Sequence, residues 1–144
     1  LTQQVRAENM SQVKALYAGL DVNCELQTFF MDMPARIAAA HLVVCRSGAS
    51  TIAELGVIGR PAIMVPLPHA IDDHQTRNAH YLADEGAAFL LPQATTGAAD
   101  LAARLTEVLM HTDRLKTMAA TARRLAKPDA TCSVVDICLE VARG

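Results

Sequence analysis

Ser47, Gly48, Ala49, Ser50, Thr51 and Glu54 lie close together in the chain and have the makings of a phosphate-and-polyol site. Ser47-Gly48 interrupts the apolar run Leu42-Val43-Val44-Cys45, and a helical pattern starts at Ala49. A strand that passes through a small-residue turn into a helix leaves the first N–H groups of that helix without partners. Together with the helix dipole they favour an anion. Glu54, one turn into the helix, stands too close to such an anion to bind it, and suits the hydroxyls of a sugar attached to the phosphate. The pattern points to a nucleotide or nucleotide-sugar. The same Ser-Gly pair also serves many α/β proteins merely as a turn and N-cap, so this segment alone leaves both readings open. Neither G-x-G-x-x-G nor G-x-x-x-x-G-K-S/T occurs, which sets aside the common dinucleotide fingerprint and the P-loop.

A second group is Asp72-Asp73-His74-Gln75-Thr76-Arg77-Asn78. Asp72 and Asp73 suit a helix start as caps. His74 and Asn78 are four apart and share a helix face, and Gln75 and Asn78 are three apart. Imidazole and amide groups both donate and accept, as the hydroxyls of a neutral sugar require. A polar helix face is the alternative for any one of them.

The elements that must position these residues alternate. Helix is expected at Asn9–Leu20, strand at Asn23–Phe30, a short helix at Pro34–Ala40, strand at Leu42–Cys45 and helix at Ala49–Ile58. Strand follows at Ala62–Val65, a loop at Pro66–Asp72, helix at Asp73–Glu85 and strand at Ala87–Leu91. The remainder is helical: Ala98–His111, with Leu101, Leu105, Val108 and Leu109 on one face, then Asp113–Ala126 and Thr131–Val141. Such alternation argues for an α/β fold, a Rossmann-like parallel sheet flanked by helices with a helical tail. In such a sheet both polar groups would open at the carboxyl edge, where ligands bind. No strand is expected ahead of the first helix, which suggests a fragment of a longer polypeptide.

Composition narrows the function classes. The chain has 144 residues, enough for one domain with a proper core, and the core must be aliphatic because aromatics make up only 3%. A net charge of −2 gives no footprint for nucleic acid. No run is long enough to span a membrane, and the first residues lack the apolar region of a signal peptide. Cys24, Cys45, Cys132 and Cys138 form no C-x-x-C pair and are expected as reduced, mostly buried thiols of a cytosolic protein. Neither they nor the five scattered histidines suggest a metal site, and no cofactor is expected.

The two polar groups, taken with other motifs, resemble the carboxy-terminal half of the MurG family of glycosyltransferases. The motifs are Asp32-Met33, Leu42-Val43-Val44-Cys45-Arg46-Ser47-Gly48-Ala49, Thr51 with Glu54, Gly59-Arg60-Pro61-Ala62, Val65-Pro66, Asp72-Asp73-His74-Gln75 to Asn78-Ala79, and Pro128-Asp129-Ala130-Thr131. The likeness runs over nearly the whole chain. It implies a GT-B architecture, two Rossmann-like domains around a cleft, with residues 1–144 as the single donor-binding domain. It also implies a hexosyltransferase that moves N-acetylglucosamine from UDP-GlcNAc to a lipid-linked muramyl-pentapeptide in peptidoglycan synthesis. The amino-terminal acceptor domain and the Gly-rich phosphate loop of the family are not in this sequence, so the chain alone is expected to be inactive.

Carried over residue by residue, the resemblance implies that Phe30 meets uracil through its backbone, with Phe29 and Met33 lining the pocket. Glu54 accepts the ribose hydroxyls, amides around Ser50 and Thr51 face the diphosphate, and Ala49 approaches the sugar. His74 and Gln75 bind sugar hydroxyls, supported by Asn78. The family can carry Gln-Gln where this chain has His74-Gln75, and a smaller aliphatic where it has Phe30. His69 and His74 are conceivable bases, yet ligand positioning is the better reading for both, with a plain loop role equally open for His69; no catalytic residue is assigned. Expected partners are UDP-GlcNAc, the acceptor domain and, through it, the lipid-linked acceptor. The full-length protein is expected in the cytoplasm, peripheral at the inner face of the plasma membrane. A separate donor-binding subunit of a two-chain enzyme and a non-catalytic UDP-sugar module are the alternatives.

Overall fold

The computed structural model describes residues 1–69 and 71–143, with Ile71 described through its backbone alone. Ala70, inside the expected loop Pro66–Asp72, lies outside the described residues. The chain divides into two compact units, Leu1–Met33 and Pro34–Gly144. No Gly-, Pro- or Ser-rich linker announces the division, which falls at the head of a helix.

In the first unit, β1 (Thr2–Gln4) leads through a 3-10 turn at Ala7–Asn9 into α1 (Met10–Ala18) and then β2 (Glu25–Gln27). β1 pairs parallel with β2, Thr2 opposite Glu25 and Gln4 opposite Gln27, so these elements form a small βαβ unit. A strand therefore stands before the first helix, where none is expected. Thr2-Gln3-Gln4 is polar and carries no apolar run to reveal it; its pairing with β2 supplies the order instead. Gly19 ends α1.

The second unit contains α2 (Met33–Ala39, entered from the first unit's last residue), β3 (Val43–Cys45), α3 (Ala49–Ile58) and β4 (Ala62–Met64). A 3-10 turn at Ile71–Asp73, α4 (His74–Ala83), β5 (Ala88–Leu90), α5 (Ala98–Leu109), α6 (Thr112–Leu125) and α7 (Ala130–Arg143) follow. β3, β4 and β5 form a parallel sheet in that order. β4 is its centre: Ala62, Ile63 and Met64 are wholly buried, as an apolar strand covered on both faces should be. Main-chain bonds from Val65 N to Cys45 O (2.8 Å) and from Leu91 N to Met64 O (2.9 Å) carry the ladder beyond the strands. The connections 46–48, 65–73 and 91–97 thus leave one edge of the sheet.

α3 packs on α4 and on α6, and α4 packs on β5. The approach of α3 to α6 is close. A Cβ at Gly56 would make only an ordinary contact, 3.5 Å from the carbonyl of Ala122, whereas Gly59 adopts a left-handed φ of 73° as it caps the helix. Its N–H reaches Leu55 O and Gly56 O, satisfying the end of α3. In α5, Val108 is fully buried as expected, but Leu109, the last residue of the helix, turns outward. α7 buries none of its residues, so Cys132 and Cys138 are exposed rather than buried; Cys24 and Cys45 are half-buried, and all four are free.

Candidate functional site

β3 ends at Cys45, and the chain turns through Arg46-Ser47-Gly48 into α3. Gly48 is the N-cap residue, extended at φ −64° and ψ 152°, with no side-chain cap bond to the helix. The first turn of α3 therefore presents the amides of Ala49, Ser50 and Thr51 at the carboxyl edge of the sheet, an anion-favouring arrangement. Ala49 and Ser50 are exposed there, and Gly48 and Thr51 half-exposed. Nothing but Thr51 Oγ1, at 3.8 Å, would meet a Cβ on Gly48, so the turn is open above its backbone. Glu54 follows on the second turn of α3, half-buried.

Ser47 differs from its neighbours. Its side chain is fully buried, and its hydroxyl donates to Gln75 O at 2.7 Å. In return Asn78 Nδ2 donates to Ser47 O at 3.0 Å. These two bonds fasten the start of α4 to the turn before α3. The sequence suggests both groups at one sheet edge; the structure joins them directly. Asn78, expected to face sugar hydroxyls, spends part of its side-chain capacity on this joint, whereas Gln75 enters it through its main-chain oxygen. Gln75 Oε1 also accepts the Leu67 amide at 3.0 Å, which leaves its Nε2 hydrogens for other work.

The connection before α4 is strained. His69, Asp72 and Asp73 all have left-handed φ values, 63°, 51° and 50°. Non-glycine residues tolerate this only where their surroundings impose it, a feature common at ligand sites. Asp73 does stand at the N-cap of α4, yet its carboxylate accepts from the Thr76 hydroxyl at 2.6 Å rather than from the helix amides. That departure from an ordinary cap leaves the α4 amides uncovered by Asp73. His74 opens the helix and is exposed, as are His69 and Asp72.

Arg46 and Gln93 carry no role in the sequence reading. Arg46 Nη1 donates to Val65 O (3.0 Å) and Pro66 O (2.9 Å), and Nη2 to Gln93 Oε1 (2.8 Å). One guanidinium thus joins the connections after β3, β4 and β5. The signal available in advance is a cation immediately before the Ser-Gly turn, whose nearest acceptors are the main-chain carbonyls of the adjacent strand. Cys45, just before it, has its thiol pKa raised to about 11 by burial and so holds a neutral thiol at physiological pH.

Of the other residues named from the sequence, Phe29, Phe30 and Met33 belong to the first unit. Phe29 is exposed, Phe30 is buried with 4% of its surface accessible, and Met33 is half-buried at the start of α2. Among the described residues, no group of three His, Cys, Asp or Glu side chains could hold a metal ion.

Residues 1–133 match the glycosyltransferase family 28 C-terminal domain. The chain belongs to this family. It is 64% identical over 138 residues to a Pseudomonas fluorescens (strain SBW25) protein, covering 95% of this chain and 39% of that one. The relative is named UDP-N-acetylglucosamine–N-acetylmuramyl-(pentapeptide) pyrophosphoryl-undecaprenol N-acetylglucosamine transferase. An Azotobacter vinelandii protein of the same name is 69% identical over 128 residues, 89% of this chain and 36% of that one. Among solved structures, Acinetobacter baumannii MurG superposes with a TM-score of 0.87 at 39% identity, covering 96% of this chain and 42% of that chain. The chain thus spans about two-fifths of the length of these relatives. The MurG resemblance read from the motifs is the one found, and the family 28 fold is the Rossmann-like carboxy-terminal half of a GT-B glycosyltransferase.

Proposed function

We propose that residues 1–144 bind UDP-GlcNAc as the donor half of an inverting N-acetylglucosaminyltransferase of peptidoglycan synthesis. The observation that carries this reading is the joint between the α3 and α4 starts through Ser47, Gln75 and Asn78. It sets an anion-favouring helix start beside a strained, polar one, the two chemistries a nucleotide diphosphate-sugar needs together. The amides of Ala49, Ser50 and Thr51 take the diphosphate, Glu54 the ribose hydroxyls, and His74 with Gln75 Nε2 the sugar. The names and similarity of the relatives support the same assignment.

In the reaction, an acceptor hydroxyl attacks the anomeric carbon while the bond to UDP breaks, inverting that carbon. The acceptor is the undecaprenol-linked muramyl-pentapeptide named for the relatives. The proton of the attacking hydroxyl goes to a base on the acceptor-binding part of the protein, and no catalytic residue is assigned within residues 1–144. The chain's own part is to hold the sugar in line and to stabilise charge on the departing diphosphate through helix-start amides. The acceptor and its site come from the remainder of the full-length protein, peripheral at the inner face of the plasma membrane. No helix among the described residues is long and apolar enough to cross a membrane.

Calorimetric titration with UDP-GlcNAc, UDP-GalNAc and NADH tests the proposal. UDP-sugars should bind and NADH should not, with UDP-GlcNAc the tighter of the two sugars. Glu54→Ala should weaken both by about 1–3 kcal/mol through loss of the ribose hydrogen bonds. Unchanged affinity in a folded variant would return Glu54 to the ordinary carboxylates of a helix surface.

A further inference from the structure

We infer that Arg46 and Gln93 are positioning residues that set the sugar end of the donor site without touching the donor, an inference that rests on the reading above. Arg46 stands one residue before the buried Ser47, but its side chain leaves the phosphate turn and crosses to the next two connections. Its Nη1 bonds hold Val65 O and Pro66 O, and its Nη2 bond holds Gln93 Oε1 beyond β5. Pro66 immediately precedes Leu67, whose amide is bonded to Gln75 Oε1. Gln75 in turn receives the Ser47 hydroxyl on its main-chain oxygen. A continuous run of hydrogen bonds therefore leads from Gln93 through Arg46 and the 65–67 backbone to the Gln75 amide.

This run has a consequence for which part of the ligand feels it. It fixes the entry to the 65–73 connection, where His69, Asp72 and Asp73 are held in left-handed backbone conformations. Strain of that kind persists only while its flanks are held. The preceding flank is gripped by Arg46 through the Val65 and Pro66 carbonyls, and the following one is α4 itself. The α3 start, by contrast, is set by Gly48, by the Gly48 O bond to the Ile52 amide and by the buried Ser47, none of which uses the Arg46 side chain. Loosening the grip should disturb the sugar's partners, His74 and Gln75, and spare the diphosphate's. A guanidinium is required because three acceptors in two directions must be met by one planar, multi-donor head. Lysine has a single nitrogen and cannot span them. Gln93 is needed only as an acceptor, so a carboxylate there should serve as well.

The test is calorimetry on the 144-residue chain with two ligands, UDP and UDP-GlcNAc, beside a thermal unfolding check. Arg46→Lys should weaken UDP-GlcNAc by roughly tenfold and leave UDP within about twofold of wild type, the loss expected for charge-assisted bonds. Gln93→Ala should lose less in the same selective way, and Gln93→Glu should restore wild-type affinity. A purely structural role would lower UDP and UDP-GlcNAc together; that outcome, or unchanged UDP-GlcNAc affinity in both Arg46→Lys and Gln93→Ala, overturns the inference. Should Arg46→Lys fail to fold, the Gln93→Ala and Gln93→Glu pair decides by the same criterion. If the wild-type chain binds neither ligand, the donor reading itself has failed, and the positioning role falls with it.

Discussion

A hydroxyl with no accessible surface can contribute to binding only through what it holds in place, and Ser47 is in that position. Its bond to Gln75 O ties the two helix starts. Ser47→Ala removes the donor and leaves a carbonyl short of its partner, so a loss of about 1–3 kcal/mol in stability is expected from urea unfolding. Ser50→Ala, on the exposed side of the same turn, should cost next to nothing by that measure; equal losses would mean that the two hydroxyls do the same job. Cys45 gives a pH test. Its pKa is raised by burial to about 11, so between about pH 9 and 11 the unfolded chain gives up this proton while the folded chain keeps it. The stabilisation is therefore complete below about pH 9 and is lost as pH rises through that window. Cys45→Ala should show a shallower decline in melting temperature over that range, and parallel curves would contradict the shift. Residue chemistry at this site was legible where it follows from type and spacing: a Ser-Gly turn before a helix, amides three apart on a helix start. It was not legible which polar atoms face one another. Ser47, Gln75 and Asn78 read as ligand groups, and the sequence does not reveal that they also bond to one another and, through Gln75 Oε1, to the Leu67 amide. Arg46 and Gln93 lie 47 residues apart, so nothing local links them.

Elements follow the periodicity of the sequence wherever burial enforces it. β4 and α3 fall where apolar runs and the Gly59 stop put them, because a central strand and the helix beside it must be apolar. β1 carries no apolar signal because Thr2-Gln3-Gln4 has no such constraint, and its order comes from pairing with residues more than 20 positions away. The helix ends drifted by a residue or two, as capping tolerates. Gly59 is the element-scale residue most open to test. Its φ of 73° suits glycine, and a Cβ there would come within 3.3 Å of the Ala119 carbonyl and Arg123 Cβ on α6. Gly59→Ala should therefore combine backbone strain with a forced shift of α6, costing on the order of 1–3 kcal/mol in chemical denaturation. Because α3 also carries the phosphate turn, the variant should weaken UDP as well as UDP-GlcNAc, unlike the Gln93 series. A variant as stable as wild type would show that α6 yields at no cost, and that the α3–α6 contact does not fix the helix bearing the site.

At the scale of the whole molecule, the question is what a chain of about two-fifths of its relatives' length can do. Donor recognition and group transfer make different demands. Binding needs only groups that face the nucleotide and sugar, and the second unit holds an anion-favouring turn, a carboxylate and a polar helix start on elements joined by their own hydrogen bonds. Transfer also needs an acceptor hydroxyl aligned with the anomeric carbon and a base to take its proton, and much of the rate enhancement comes from that alignment. The 144-residue chain should therefore bind UDP-GlcNAc yet release no UDP above background when given a soluble analogue of the lipid-linked acceptor. The full-length protein, assayed alike, should turn over. A coupled assay for UDP, run with both proteins at equal donor occupancy, separates the two. Turnover by the short chain would place the acceptor site and the base within residues 1–144, with His69 and His74 as the candidate bases. Binding without turnover would locate the chemistry where the acceptor is held, and leave to these residues the task of presenting the sugar.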